Sequence, residues 1–211
     1  MDGIVFGHRG AAFEAPENTM AGFRHAVAEG VRAIELDVHL TRDGRLAVVH
    51  DASLRRTVGL EREVGEFTRA ELRAMRASLL PAGWKGSGDV GIPGLEEVLA
   101  EFRGAVRDWQ IEIKTDAPAR LEAVCGLVAD LVEAEGLEDR AVVTSWDPVA
   151  LEAWVREFEA GLEDFSHLIL GFDNGELDNI FGMAGALAGC GGDEAPPLET
   201  NAVSRVGMTW L

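Results

Sequence analysis

Short apolar runs alternate with longer amphipathic stretches along this 211-residue chain, and no other feature constrains its fold as much. Strands that alternate with helices pack as a largely parallel sheet, because each parallel pair needs a crossover between its members. Residues 4–7 read as a first strand, and residues 19–29 as a helix closed by Gly30. Residues 33–40 and 45–50 read as strands flanking Asp43-Gly44, a strong short hairpin signal. In a tight hairpin centred on that dipeptide, Asp37 faces about His50. Thr68-Arg69-Ala70-Glu71 is a capping box that opens a helix running towards Ser78. Residues 94–102 read as helix, 108–115 as strand, 119–135 as a long helix stopped by Gly136, and 141–145 as strand. Asp147-Pro148 then starts a further helix, with Asp147 as N-cap.

Residues 167–171 form a sixth short apolar run, and beyond Phe172 the pattern fades: 179–188 read as helix, 189–197 as loop and 202–211 as one more strand. The total is about seven strands, whereas a closed (β/α)8 barrel needs eight and about 250 residues. The expectation is an α/β chain forming one domain over 1–211, a TIM-type barrel that lacks its last strand and helix. Such a barrel exposes strand edges, so a homo-oligomer is a possible partner state.

Hydrophobic side chains make up 47% of the residues, enough for a single sizeable core. The charge narrows function. With 37 acidic against 19 basic residues the formal net charge is −18, which repels nucleic acid and anionic membrane surfaces. An anionic substrate would need a local positive centre that outweighs this field, such as a bound cation with placed Arg or Lys. No stretch approaches the roughly 20 apolar residues of a membrane span, and the apolar run at the N-terminus is too short for a signal peptide. A cytoplasmic protein is expected. Cys125 and Cys190 stand in no metal-binding spacing and suggest no disulfide framework.

Four segments at predicted strand ends concentrate the chemistry: Gly7-His8-Arg9-Gly10, Glu35-Leu36-Asp37, Val49-His50-Asp51 and Glu112-Ile113-Lys114. Glu35 and Asp37 are two apart in a strand and share a face, so their carboxylates can converge on one ion. Apolar neighbours on the other face make this strand look buried, where like charges need a cation or a basic partner. A half-exposed strand with its acids in water is the alternative. Glu112 and Lys114 repeat the spacing, and alone they also read as a solvent-facing pair. Three carboxylates without a cysteine form a hard oxygen set suited to Mg²⁺ or Ca²⁺. His8 and His50 suit acid–base chemistry near such a cation, although lone histidines are commonly structural. Arg9 presents a fork of donors that matches phosphate oxygens, and Lys114 a point charge. Pro16-Glu17-Asn18-Thr19 reads as a helix start with Asn18 or Thr19 as cap. His25 and His167 read as structural, and His39 as a minor candidate on the face of Glu35 and Asp37.

Together these segments resemble the glycerophosphodiester phosphodiesterase family. The shared elements include Gly7-His8-Arg9-Gly10, Pro16-Glu17-Asn18-Thr19, Glu35-Leu36-Asp37-Val38, Thr41-Arg42-Asp43-Gly44, Val48-Val49-His50-Asp51 and Glu112-Ile113-Lys114. Arg56-Thr57, the stretch 92–99 and Thr144-Ser145-Trp146 add weaker support. The resemblance implies a TIM barrel with one divalent cation held by Glu35, Asp37 and Glu112. It implies that His8 and His50 are the acid–base pair and that Arg9 and Lys114 hold the phosphate. The implied reaction hydrolyses a small-molecule glycerophosphodiester to glycerol 3-phosphate and an alcohol. After Trp146 the match decays, and no Trp-Thr-Val-Asn-like stretch precedes Leu211. The competing readings are a lysophospholipase D-like or other phosphodiester-cleaving barrel, and a non-catalytic remnant that binds metal or phosphate.

Overall fold

A computed structural model describes residues 5–154 except 87, 115, 148, 151 and 152. The elements expected at 167–171, 179–188, 189–197 and 202–211, with His167 and Cys190, lie outside the described residues.

Strand β1 (Phe6–His8) pairs parallel with β2 (Ala33–Leu40), β2 with β4 (Asp108–Ile113), and β4 with β5 (Ala141–Thr144). Each parallel strand joins the sheet beside its predecessor in chain order. That is the winding of a TIM-type barrel; a doubly wound sheet reverses its order part-way. The expected fold class is met in the described residues. Helices α1 (Met20–Ala28), α4 (Leu95–Phe102) and α5 (Pro118–Ala134) make the crossovers. Their ends follow local chemistry. Thr19 Oγ1 accepts from Gly22 N at 3.0 Å to cap α1, and Gly30 beyond its end sits at φ +92°. After β5, Asp147 Oδ1 accepts from Val149 N at 2.9 Å, the capping role expected of it.

The two-residue period of the strands sorts their side chains into two layers. Ile34, Leu36 and Val38 lie in register with Trp109, Ile111 and Ile113. All six are fully buried, in one cluster with Phe23 of α1, Leu95, Val98 and Leu99 of α4, and Val124 and Val128 of α5. Each such aliphatic or aromatic side chain contributes about 1.5–3 kcal/mol when buried. The opposite face carries Glu35, Asp37, His39, Gln110, Glu112 and Thr144, so the polar groups of three strands share one surface.

The hairpin departs from expectation by one residue. Strand β3 (Leu46–Val48) pairs antiparallel with β2, with Val38 opposite Val48 and Leu40 opposite Leu46. That register sets Asp37 opposite Val49, which donates its N–H to Asp37 O at 3.0 Å, and not opposite His50. The cause is the turn. Thr41 N donates to Arg45 O at 2.9 Å, closing a three-residue loop in which Gly44 alone has positive φ, +69°. A two-residue turn would need Asp43 there as well.

Between β3 and α4 the chain builds a small annexe from α2 (Arg55–Val58), a 3-10 turn at Val64–Glu66, and α3 (Arg69–Ala74). Its own core joins Val49, Leu54, Val64, Leu72 and Ile92. The capping box opens α3 as expected, but the helix stops at Ala74, short of Ser78. Ala77 N donates to Val90 O at 2.9 Å and Ser78 N to Thr57 O at 2.8 Å, so this backbone is satisfied by extended pairing instead.

Candidate active site

Strand register assembles the polar residues. His8, the last residue of β1, lies beside Glu35, and Asp37 lies beside Glu112. Glu35 and Asp37 are two apart and share a face, so the three carboxylates converge. One oxygen from each lies within 4.8 Å of the others. Glu35 and Asp37 are buried and Glu112 half-buried.

Two cations sit among them. Lys114 Nζ is 2.8 Å from Asp37 Oδ1 and also contacts Glu112 Oε1. Arg9 donates its backbone N–H to Glu35 Oε2 at 2.8 Å and Nη1 to Glu17 Oε1 at 3.3 Å. Its Nε lies 3.4 Å from Asp37 Oδ2 and makes no hydrogen bond among the described residues. Arg9 adopts φ +51°, a strained conformation for a residue with a side chain. The bend around it is tight: a Cβ on Gly7 would meet the carbonyl oxygen of Gly10 at 2.3 Å.

Charge is unevenly matched across the cluster. Burial pushes the Glu35 carboxyl well above the usual range, reinforced by the charges of Asp37 and Glu112. Burial alone would raise Asp37 too, but the charge and hydrogen bond of Lys114, with the hydrogen bond from Asn18, hold it below its ordinary value.

His8 Nε2 lies 3.8 Å from Glu35 Oε2. Burial lowers the His8 pKa, aided by the charge of Arg9 and more weakly by His50. His50 follows β3, and its Nδ1 is 2.5 Å from Asp51 Oδ1. Burial would raise the Asp51 pKa, but hydrogen bonds from Arg56 and His50 and the Arg56 charge bring it to about 2. An ionised carboxylate only accepts, so His50 Nδ1 is the donor and Nε2 remains for exchange with a ligand. His39 is buried, and its Nε2 lies 3.0 Å from His50 O, a support to the backbone that carries His50. His25 pairs with Glu14 and packs edge-on against Trp84, in keeping with a structural role.

The structure thus gathers His8, Arg9, Glu35, Asp37, Glu112 and Lys114 in one contact network, with His50 alongside. Sequence reasoning gave Glu17 and Asn18 only to a helix start. Thr19 is indeed the cap, yet Asn18 Nδ2 donates to Asp37 Oδ2 at 2.7 Å. Arg56 donates to Asp51 and Glu17. The signal for all three lay in the motif segments themselves, whose long-range partners no local pattern specifies.

A divalent cation fits this donor set. Three hard carboxylates converge within reach of one ion, and burial with mutual repulsion disfavours the ionised form of Glu35 until positive charge arrives. Among the described residues no helix is long and apolar enough to cross a membrane.

A model of the glycerophosphoryl diester phosphodiesterase family matches residues 8–160. A glycerophosphodiester phosphodiesterase of Bacillus altitudinis is 40% identical over 143 residues, 67% of this chain and 57% of that protein. The crystal structure of a glycerophosphodiester phosphodiesterase from Agrobacterium tumefaciens str. C58 matches with TM-score 0.63 and 31% identity, over 76% of this chain and 64% of that one. A phosphodiesterase of Oleispira antarctica, solved in complex with the product sn-glycerol-3-phosphate, matches with TM-score 0.64 and 25% identity, over 79% and 64%. The chain spans less than two thirds of the length of each of these relatives.

Proposed function

The chain belongs to the glycerophosphoryl diester phosphodiesterase family, and from that premise we propose that it hydrolyses glycerophosphodiesters to glycerol 3-phosphate and an alcohol with one divalent cation. The observation that carries this reading is the convergence of Glu35, Asp37 and Glu112 within 4.8 Å, with His8 3.8 Å from Glu35.

Glu35, Asp37 and Glu112 would hold the ion. When bound it supplies Lewis acidity, screening the phosphate charge and acidifying a hydroxyl or water. Arg9 meets the phosphate with its Nε donor, which has no hydrogen bond among the described residues, supported by its neighbouring guanidinium N–H groups. Lys114 adds a second positive charge from among the carboxylates. His8 and His50 divide the proton transfers. One takes a proton from the attacking hydroxyl, and the other returns one to the departing alcohol oxygen. Asp51 keeps the His50 proton on Nδ1, so that Nε2 faces the transfer.

The test is release of glycerol 3-phosphate from glycerophosphocholine and glycerophosphoethanolamine, with Mg²⁺, with Ca²⁺ and with chelator. Metal-dependent release that falls at least about 10²-fold in Glu35→Gln is the expected result. Turnover that survives both chelation and Glu35→Gln would overturn the metal assignment. Release of choline from lysophosphatidylcholine alone would move the reading to a lysophospholipase D.

A further inference from the structure

Arg56 lies outside the carboxylate cluster, yet it touches the partner of a site residue on each side. Its Nε donates to Asp51 Oδ2 at 2.5 Å. Its Nη1 and Nη2 donate to Glu17 Oε2 and Oε1 at 2.8 and 2.7 Å, a bidentate pair. The far oxygen of Asp51 holds His50 Nδ1, and Glu17 Oε1 also accepts from Arg9 Nη1. One planar group thereby joins the loop after β1 to the segment after β3, and the two anchored residues are Arg9 and His50.

We infer that Arg56 is a positioning residue for the proposed reaction, a clamp that sets His50 through Asp51 and Arg9 through Glu17. The inference rests on the hydrolase reading above. The bland alternative is a surface ion pair, since the Arg56 side chain is 38% exposed and such pairs contribute little. Three features argue against it. Glu17 is only 14% exposed, its pair with Arg56 is bidentate, and each carboxylate spends another oxygen contact on a site residue. A fork of donors in one plane is needed for this arrangement; an ammonium at the same place cannot reach both carboxylates with fixed geometry. Arg56 is the second residue of the four-residue helix α2, where the next residue, Thr57, is buried and the helix end is closed by Gly59 at φ +81°, so the guanidinium stands on an anchored base.

Displacing a catalytic group by a fraction of an ångström affects turnover more than binding. In the full chain, Arg56→Gln is expected to lower kcat about 10²-fold on glycerophosphocholine, with KM changed less than about threefold. Arg56→Lys keeps the charge without the fork and should recover only about a tenth of the wild-type kcat; it also serves if Arg56→Gln fails to fold. A second readout needs no turnover: the ¹⁵N imidazole spectrum of His50 at pH 8, assigned by its loss in His50→Gln. Wild type should show a single Nδ1-protonated ring, and Arg56→Gln nitrogen shifts averaged between the two tautomers. Unchanged His50 shifts with kcat within twofold of wild type would overturn the clamp. So would a loss confined to KM. Should wild type release no glycerol 3-phosphate, the hydrolase reading fails, and the His50 spectrum alone decides whether Arg56 positions it.

Discussion

Asp51 accepts from two cationic or polar donors in a partly buried place, and its carboxyl is held at about 2 after burial is outweighed by Arg56 and His50. The sign of the consequence is fixed. A depressed pKa adds stability that is complete above the ordinary carboxylate value near 4 and is lost as pH falls through the folded value. Thermal melts of wild type and Asp51→Asn should therefore differ by a constant amount above about pH 5 and converge between about pH 4 and pH 2. A gap of the same size at pH 3 and pH 6 would show that the ionised carboxylate is not its source. Glu17 has the same sign, lowered by Arg56 and Arg9 against burial, and should add to the same acid limb. At this scale the gathering of His8, Arg9, Glu35, Asp37, Glu112 and Lys114 was legible because each stands in a short segment at a strand end, where residue type and spacing point to a shared face. The support given by Glu17, Asn18 and Arg56 was not. Glu17 and Arg56 are 39 positions apart, and only the folded chain brings them together.

Elements were read from caps and periods, and most agree within a residue or two. β2 falls at the expected 33–40, since it is apolar on one face and carries the acidic motif on the other. The hairpin register slipped because Asp43-Gly44 suits both a two-residue turn and the last two positions of a three-residue loop. Side-chain contacts decide between them. Thr41 Oγ1 donates to Asp43 Oδ1 at 2.7 Å and accepts from Arg45 N at 2.9 Å, and Asp43 Oδ1 also accepts from Arg69 N at 2.9 Å. These bonds fix Asp43 in an ordinary conformation and leave Gly44 to turn left-handed. A Cβ at Gly44 meets nothing within 4 Å, so the cost of a side chain there is conformational and not steric. Gly44→Ala should destabilise by about 1 kcal/mol in urea unfolding, and Gly44→Asn by less, since Asn tolerates that region. Equal losses for the two would point to a crowded site instead. Metal-dependent turnover of the folded fraction should be unchanged in both, because the turn lies beyond the end of β2 away from Glu35 and Asp37. The early end of α3 was illegible for a different reason: its would-be last turn is drawn into backbone pairing with Val90 and Thr57, contacts that no helix signal anticipates.

For the whole molecule, the formal charge of −18 and the buried carboxylates pose two separate electrostatic problems with different remedies. Repulsion between surface acids is long-range and is screened by any salt. The cluster of Glu35, Asp37 and Glu112 is local, shielded from solvent and partly relieved by Lys114, so it calls for an ion seated among its oxygens. A ligand that binds only the native state stabilises it by mass action, about 2.7 kcal/mol at a hundred times Kd. For a chain of this size that corresponds to a rise in Tm of about 5–10 °C. At ionic strength matched with NaCl, Mg²⁺ or Ca²⁺ should raise the wild-type Tm along a saturating curve, and chelator should reverse it. Glu35→Gln separates the two problems. Gln mimics the uncharged carboxyl that burial favours at position 35, so metal-free Glu35→Gln should melt no lower than metal-free wild type. It removes one carboxylate charge from the proposed metal site, so its response to the cation should shrink to that of NaCl. An equal cation response in the two proteins would place the effect on the acidic surface and remove the thermodynamic support for an ion at this cluster. A metal-free Glu35→Gln protein that melts well below wild type would instead mean that Glu35 is held charged by Arg9 and Lys114, which already neutralise the site.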